Sequence, residues 1–562
     1  MKTNKHIIYQ TFPRLFGNYG ENPVKNGSIE ENGCGKFNSY TAKALESIRE
    51  LGVTHIWYTG IIAHSTCTDY TAYGIPKDHH AIVKGNAGSP YAVRDYYDVD
   101  PDLAENVPNR MNEFKALVKR THDAGMKVII DFVPNHVARS YRSLMKPAYV
   151  DDLGQHDRTE LAFSAVNNFY YIPGHSLELH FGAQEEDFEY SEFPAKVTGN
   201  DCFSATPGRN DWYETIKLNY GVDYLNGGTK YFSPTPGTWH KMLDILLFWA
   251  GNDIDGFRCD MAEMVPVEFW SWAIPRVKSR KNVMFIAEVY NPGLYRTFIE
   301  TGKFDYLYDK AGMYDTLRKI ICREAPCTDI TACWQAIEPV KEHMLFFIEN
   351  HDEQRIASDF FAGNAQAGIP GLALIALLDV NPVMIYNGQE LGEKGMDDEG
   401  FSGMDGRTSI FDYWSMKSVR DWADSGRFDG GKLDDEQRRL RESYKTILTP
   451  AKNEKALSHG RFYGLAYCNR DNPAFPSEQM SAFLRKYENE LILVFINFDS
   501  KTHHFRANIP ENAFDVLNIP DNIASKARDL ISGEETICAL THACPYRESL
   551  PACSVKILKI SY

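Results

Sequence analysis

The chain has 562 residues and a mass of 64.0 kDa, with 76 acidic against 60 basic side chains and a formal net charge of −16. An apolar fraction of 43% over that length supports a large buried core and excludes global disorder. The acidic excess, with no Lys/Arg cluster, argues against nucleic acid as the main ligand.

At the N-terminus, residues 1–10 carry lysines but no apolar leader segment, so a cytoplasmic location is expected if Met1 is the native start, and a trimmed exported protein otherwise. Short β-branched or aromatic runs then recur at 7–11, 55–58, 127–132, 254–259, 283–289, 304–308, 345–348 and 382–386. Helical patterns separate several of them. The clearest starts near Pro108, places Met111, Phe114, Leu117, Val118 and Thr121 on one face and stops at Gly125. Eight strands alternating with helices predict an α/β (β/α)8 TIM barrel. Roughly ninety residues between the third and fourth strands, 137–226, are too many for a loop and read as an inserted domain. After the eighth strand come a polar, Gly-rich segment (387–432) and a charged helix near 433–451. From about 457 the texture changes to short alternating runs that predict an all-β sandwich domain. The expected organisation is therefore a barrel built from 1–136 and 227–456, an insertion at 137–226 and a C-terminal β domain at 457–562. No segment reaches the roughly 20 apolar residues of a membrane helix, and the 11 scattered cysteines suggest neither a disulfide framework nor a zinc site.

Barrel enzymes carry their chemistry at the C-terminal ends of the strands. Here the third strand ends in DFVPNH (131–136), the fourth in DGFRCD (255–260), the fifth in AEV (287–289) and the seventh in ENHD (349–352). One acid after a strand is ordinarily a helix cap; four such endings on one rim exceed what capping explains. Arg258 and Asp260 are two apart on a strand and so point the same way, toward the barrel axis. A guanidinium beside Asp260 would hold it ionised, as a nucleophile requires, although a structural ion pair reads the same way. Glu288 follows an apolar strand, where partial burial would suit it to donate a proton. Retaining glycosidases need this division between one ionised and one protonated carboxyl.

On these residues the sequence resembles the α-amylase superfamily, glycoside hydrolase family 13, whose four short defining regions match in order. IIYQTFPRLF (7–16), LGVTHIWYTG (51–60), SPYAVRDYYDVDP (89–101) and YNGQELG (386–392) match as well. The resemblance implies that Asp260 is the nucleophile, Glu288 the general acid/base and Asp352 the transition-state carboxylate. It further implies that Arg258, His136 and His351 contact the sugar where the bond breaks, that Tyr91 stacks under it, and that Asp131 orients Arg258. Two departures stand out. Glu263-Met264 replaces the Lys-His that often follows the nucleophile, and Val222-Asp223-Tyr224-Leu225-Asn226 matches the family's fifth stretch only loosely. No cofactor is required. Asn135 matches a calcium ligand of many relatives, with Asp201 or Asp211 as further oxygen donors, while the loop Glu30 to Lys36, matching a second calcium loop, is expected to be empty.

The expected activity is retaining hydrolysis of α-glucans or maltooligosaccharides, through a covalent glycosyl-enzyme, with an oligosaccharide or polysaccharide α-glucan as partner and neither nucleic acid nor membrane. A transglycosidase of the same family, a 4-α-glucanotransferase or a sucrose-type phosphorylase, is the alternative. A catalytically silent carbohydrate-binding relative is the third reading, disfavoured because all three carboxylates are kept. Linkage, chain length, endo or exo action and oligomeric state stay open.

Overall fold

A computed structural model describes residues 5–181, 190–395 and 400–562; residues 1–4, where the expected native start lies, fall outside it. Eight parallel strands form one sheet: β1 Ile7–Thr11, β2 His55–Tyr58, β3 Lys127–Phe132, β4 Gly256–Cys259, β5 Met284–Ala287, β6 Tyr306–Tyr308, β7 Met344–Leu345 and β8 Val383–Tyr386. Their order around the sheet is β7-β6-β5-β4-β3-β2-β1-β8. Hydrogen bonds from Phe346 N to Pro382 O (3.0 Å) and from Met384 N to Phe346 O (2.9 Å) join the two ends, and the sheet closes as a barrel.

Strand alternation sorts the side chains into two cores. Ile8, Trp57, Ile129, Ile286, Tyr308, Leu345 and Met384 pack inside the barrel. Their neighbours Ile7, Tyr9, Ile56, Val128, Ile130, Phe257, Phe285, Leu307 and Val383 pack outward against the helices. The helix Arg110–Asp123 is typical: Phe114, Leu117, Val118 and Thr121 are buried, Met111 is half-buried, and a 3-10 turn over Val107–Asn109 leads into it.

β1, β2 and β3 coincide with the runs read from the sequence. β4 and β6 start two residues later than the runs read from the sequence, β5 is shorter at both ends, β7 starts one residue earlier and ends three earlier, and β8 starts one residue later. β2 is followed by an excursion that the sequence pattern does not announce, in which Ile62–His64 pairs antiparallel with Val93–Val99 and brings residues 65–92 over the C-terminal rim. After β3, His136–Ala138 pairs with Thr215–Lys217, setting Lys217 opposite His136. Tyr171–Ile172 pairs with Ala195–Lys196, and Val222–Asp223 with Thr229–Lys230.

The C-terminal part is an antiparallel six-stranded sheet with a separate two-stranded ribbon, following the helix Asp435–Asn453. Arg485, fully buried, ties this sheet to the barrel. Its guanidinium donates to the carbonyls of Leu378, Ala456, Leu457 and Gly460 and to Asp379 Oδ1. All 11 cysteines are free thiols, and among the described residues no helix is long and apolar enough to cross a membrane.

Candidate active site

The inward parity of β3, β4 and β5 sets the site. Arg258 pairs in register with Asp131 on one side and with Ile286 on the other. Asp260 and Glu288, each two residues beyond an inward position, therefore meet at the C-terminal mouth. Arg258 is 0% exposed. Its Nη1 lies 2.6 Å from Asp260 Oδ1 and 3.7 Å from Asp131 Oδ1, and its Nη2 lies 2.9 Å from Glu288 Oε1. The rings of Trp57, Tyr91 and Tyr308 surround the guanidinium at 5.3–5.5 Å, a cation–π cage that compensates lost hydration. Asp131 also accepts from Gly60 N at 3.0 Å, and burial pushes its carboxyl up to about 6 against the pull of Arg258.

One expectation from the sequence changes here. Arg258 does sit beside Asp260, but burial outweighs it and pushes Asp260 well above the usual carboxylate range, with Glu288 and Asp131 adding to the rise. Three carboxylates share one cation, which disfavours the ionisation of all three at once. Glu288 is held from three directions. Its Oε2 accepts from Met261 N (2.7 Å), and its Oε1 accepts from the Tyr290 hydroxyl (2.6 Å) and faces Arg258. Met261 adopts a left-handed backbone at φ 41°, rare for a side-chain-bearing residue. That conformation costs of order 1–3 kcal/mol and turns its N–H onto Glu288.

From β7, Asn350 Oδ1 accepts from the backbone N of Asp352 (2.9 Å) and Glu353 (3.0 Å), which orders the turn presenting Asp352. The Asp352 side chain keeps 37% of its surface open to the cleft and lies 3.1 Å from His351 Nε2. His351 also contacts the Tyr91 hydroxyl through Nε2, and its Nδ1 lies 2.6 Å from Gln10 Nε2. Burial lowers both His351 and His136 to about 3, so both rings are neutral. His136 packs against Trp212 at 5.3 Å. Tyr91, His136, Asp260, Glu288 and Asp352 line one cavity of about 330 Å³; Arg258 and Asp131 lie beneath it, and His351 stands behind Tyr91 and Asp352.

Sequence reasoning missed several contributors. Tyr290, Trp57, Tyr308 and Gln10 look like core residues until strand parity turns them inward, and Tyr290 lies only two residues past Glu288. Glu263, which stands where relatives carry lysine, accepts from the backbone N of Tyr290 (3.2 Å) and Asn291 (3.1 Å) and so braces the loop that carries Tyr290.

Residues 10–292 match the catalytic-domain model of alpha-amylases. The chain is 24% identical over 505 residues to the alpha-amylase MalA of Haloarcula japonica, covering 88% of this chain and 55% of that one. It is 21% identical to neopullulanase 2 of Thermoactinomyces vulgaris, covering 94% and 74%. The chain thus spans little more than half the length of the first of these relatives. In fold it is similar to the acarbose-complexed alpha-amylase of Geobacillus thermoleovorans, with a TM-score of 0.65, 20% identity and 99% and 98% coverage.

Calcium is not suited to the place where the resemblance put it. Asn135 Oδ1 accepts from the ammonium of Lys217 (2.9 Å), which also pairs with Asp201 Oδ1 (2.6 Å). The side-chain oxygens expected to ligate an ion thus already hold a buried cation. Asn135 Nδ2 donates to Gly199 O (2.7 Å), and Asp211 accepts from Gly208 N (2.7 Å) within its own loop. In the other loop, Lys36 Nζ donates to the carbonyl of Asp102. Among the described residues no group of three or more His, Cys, Asp or Glu side chains is placed to hold a metal. EDTA is therefore expected to leave the melting temperature unchanged, whereas Lys217→Ala, which leaves the buried Asn135 Oδ1 without its donor and the partly exposed Asp201 without its cation, is expected to cost about 2 kcal/mol. Thermal unfolding with and without EDTA checks this; a drop that calcium restores in the unmodified protein would contradict it.

Proposed function

The chain belongs to the α-amylase family, and from that premise we propose that it is a retaining hydrolase of α-glucans, acting on starch-derived chains or maltooligosaccharides. The observation that carries the reading is the single guanidinium of Arg258 holding Asp260 and Glu288 at the mouth of the barrel, with Asp352 facing them across one cleft.

In this mechanism Asp260 attacks the anomeric carbon while Glu288 passes its proton to the departing glycosidic oxygen. The first product leaves, and the sugar remains as an ester on Asp260. Glu288, now ionised, takes a proton from water; the water oxygen attacks the anomeric carbon and the Asp260 ester bond breaks. The transition state on either side is cationic, and Asp352 stabilises it with a charge that needs no reorganisation. Proton placement follows from the cluster. Asp260 must be ionised at attack, which its burial opposes, and Glu288 must carry the proton that it passes to the departing oxygen. Arg258 favours that arrangement through its shorter contact with Asp260. Neutral His136, which lines the cleft, serves as a hydrogen-bonding group to sugar hydroxyls, and the cleft-facing side of Tyr91 as a stacking surface, whereas His351, buried with both ring nitrogens engaged by Gln10, Tyr91 and Asp352, positions those residues and does not reach the sugar. We expect no cofactor. The relatives named as neopullulanase and alpha-amylase act on the same broad class of polymer, which supports the substrate class without fixing linkage or length.

Transfer to a sugar acceptor in place of water is the second reading. It is favoured by Glu263, because an acid tied to the backbone N–H groups of Tyr290 and Asn291 replaces the lysine that grips the acceptor in many relatives.

Glu288→Gln is expected to lower kcat on maltooligosaccharides by about 10³-fold with the fold intact by circular dichroism; full activity would remove Glu288 from the mechanism. Chromatography of maltotriose products decides between the two readings: only shorter sugars mean hydrolysis, longer oligomers mean transfer. Tyr290→Phe is expected to lower kcat about tenfold. Steady-state kinetics check this, and an unchanged kcat would make Tyr290 a packing residue.

A further inference from the structure

Glu349 opens the ENHD stretch but takes no part in bond cleavage, and it is 2% exposed. It continues the inward parity of Leu345 and Phe347 past the end of β7. Its partners lie at the far end of the loop that it begins. Glu349 Oε1 accepts from Ile356 N at 2.6 Å, and its Oε2 accepts from Arg355 Nη1 at 3.1 Å. One carboxylate thus joins the two ends of residues 349–356, and Asp352 stands in the middle of the loop so closed.

Arg355, fully buried, ties this loop to the barrel and to the segment beyond β8. Its guanidinium lies 3.9 Å from the ring of Tyr386, the last residue of β8. Its Nε donates to Thr408 Oγ1 (3.0 Å) and its backbone N to Gly406 O (2.7 Å), while Gln354 Nε2 donates to Asp405 O (3.0 Å). The contrast with the other two acids shows what the closure does. Arg258 grips the side chains of Asp260 and Glu288 directly. Among the described residues, no lysine or arginine forms an ion pair with Asp352, whose partly open carboxylate meets neutral His351. The place of that carboxylate is therefore set by its backbone. Asn350 shapes only the local turn; Glu349 and Arg355 fix the whole loop against the barrel.

We propose that Glu349 and Arg355 are positioning residues for Asp352, a buried ion pair that closes the loop 349–356 and so holds the third carboxylate in place opposite Asp260 and Glu288. The inference rests on the mechanism proposed above, in which Asp352 acts on the charge of the transition state. A buried ion pair is weak evidence for stability in itself. A carboxylate displaced from a developing charge, by contrast, loses rate and leaves ground-state binding nearly untouched.

The test uses Glu349→Met/Arg355→Met, which removes the pair without stranding a buried charge and so keeps the fold. On maltotriose, well below the unfolding temperature, the variant is expected to lose about tenfold in kcat with KM changed by less than about twofold. Arg355→Lys, which keeps the charge but cannot reach Glu349, Thr408 and the Tyr386 ring together, is expected to show the same split with a loss of about threefold, and it stands in if the double variant does not fold. An unchanged kcat, or a KM that rises in step with the loss of kcat, would overturn the assignment and leave the pair a packing feature. Hydrogen exchange separates this inference from the function proposed above. Exchange about tenfold faster across residues 349–356 in the variant, with the barrel strands unchanged, supports the closure even if the unmodified protein cleaves no α-glucan, which would sink the hydrolase reading alone; equal exchange overturns it.

Discussion

Burial of Arg258 on the barrel axis is the constraint on which the rest of the site depends. A guanidinium with no exposure must be paid for by anions and ring faces, and the parity of neighbouring strands supplies both. Asp131 comes from β3, Asp260 from the end of β4, Glu288 from the end of β5, and the rings of Trp57 and Tyr308 from β2 and β6. The dependence is mutual, since without the cation three buried carboxylates would face each other at close range, each far too costly to leave ionised. Stability and chemistry are therefore one arrangement here. The ion cluster is weak evidence for stabilisation in itself; its value lies in fixing two carboxylates relative to each other before a substrate arrives.

In the proposed mechanism the same cluster sets the direction of proton traffic. Burial pushes Asp260 up, and Arg258 opposes that rise from its closest contact. Glu288 sits in a different frame of donors, Met261 N and the Tyr290 hydroxyl. Two carboxyls of similar intrinsic acidity thus receive unlike surroundings, the condition under which one serves as nucleophile and the other as proton carrier. The left-handed turn at Met261 and the brace from Glu263 hold that frame in place, so residues around the proposed catalytic pair do as much positioning as the pair's own strands.

Most of the barrel was legible because its signal is local. In β1, β2 and β3 the apolar run and the hydrogen-bonded ladder coincide, whereas at β4 to β7 the run overshoots the paired segment on one side or both and the ends are misjudged by a few positions. The acids were legible because each closes a strand. Trp57 and Tyr308 were not, since an aromatic on a strand looks the same whether it faces helix or axis, and Tyr290 was not, because it lies on the loop beyond β5. Lys217 was invisible for another reason: its partner Asn135 lies 82 residues away, and nothing near a lysine in an irregular insertion announces that it replaces an ion.

The central claim is that Asp260 becomes covalently attached to sugar. Incubating Glu288→Gln with α-glucosyl fluoride, whose leaving group needs no proton, and digesting the quenched protein for mass spectrometry tests it directly. The account predicts one glucosyl adduct, located on Asp260, with fluoride released in equal amount. An adduct on a different residue, or fluoride release with no adduct at any time after mixing, would contradict it.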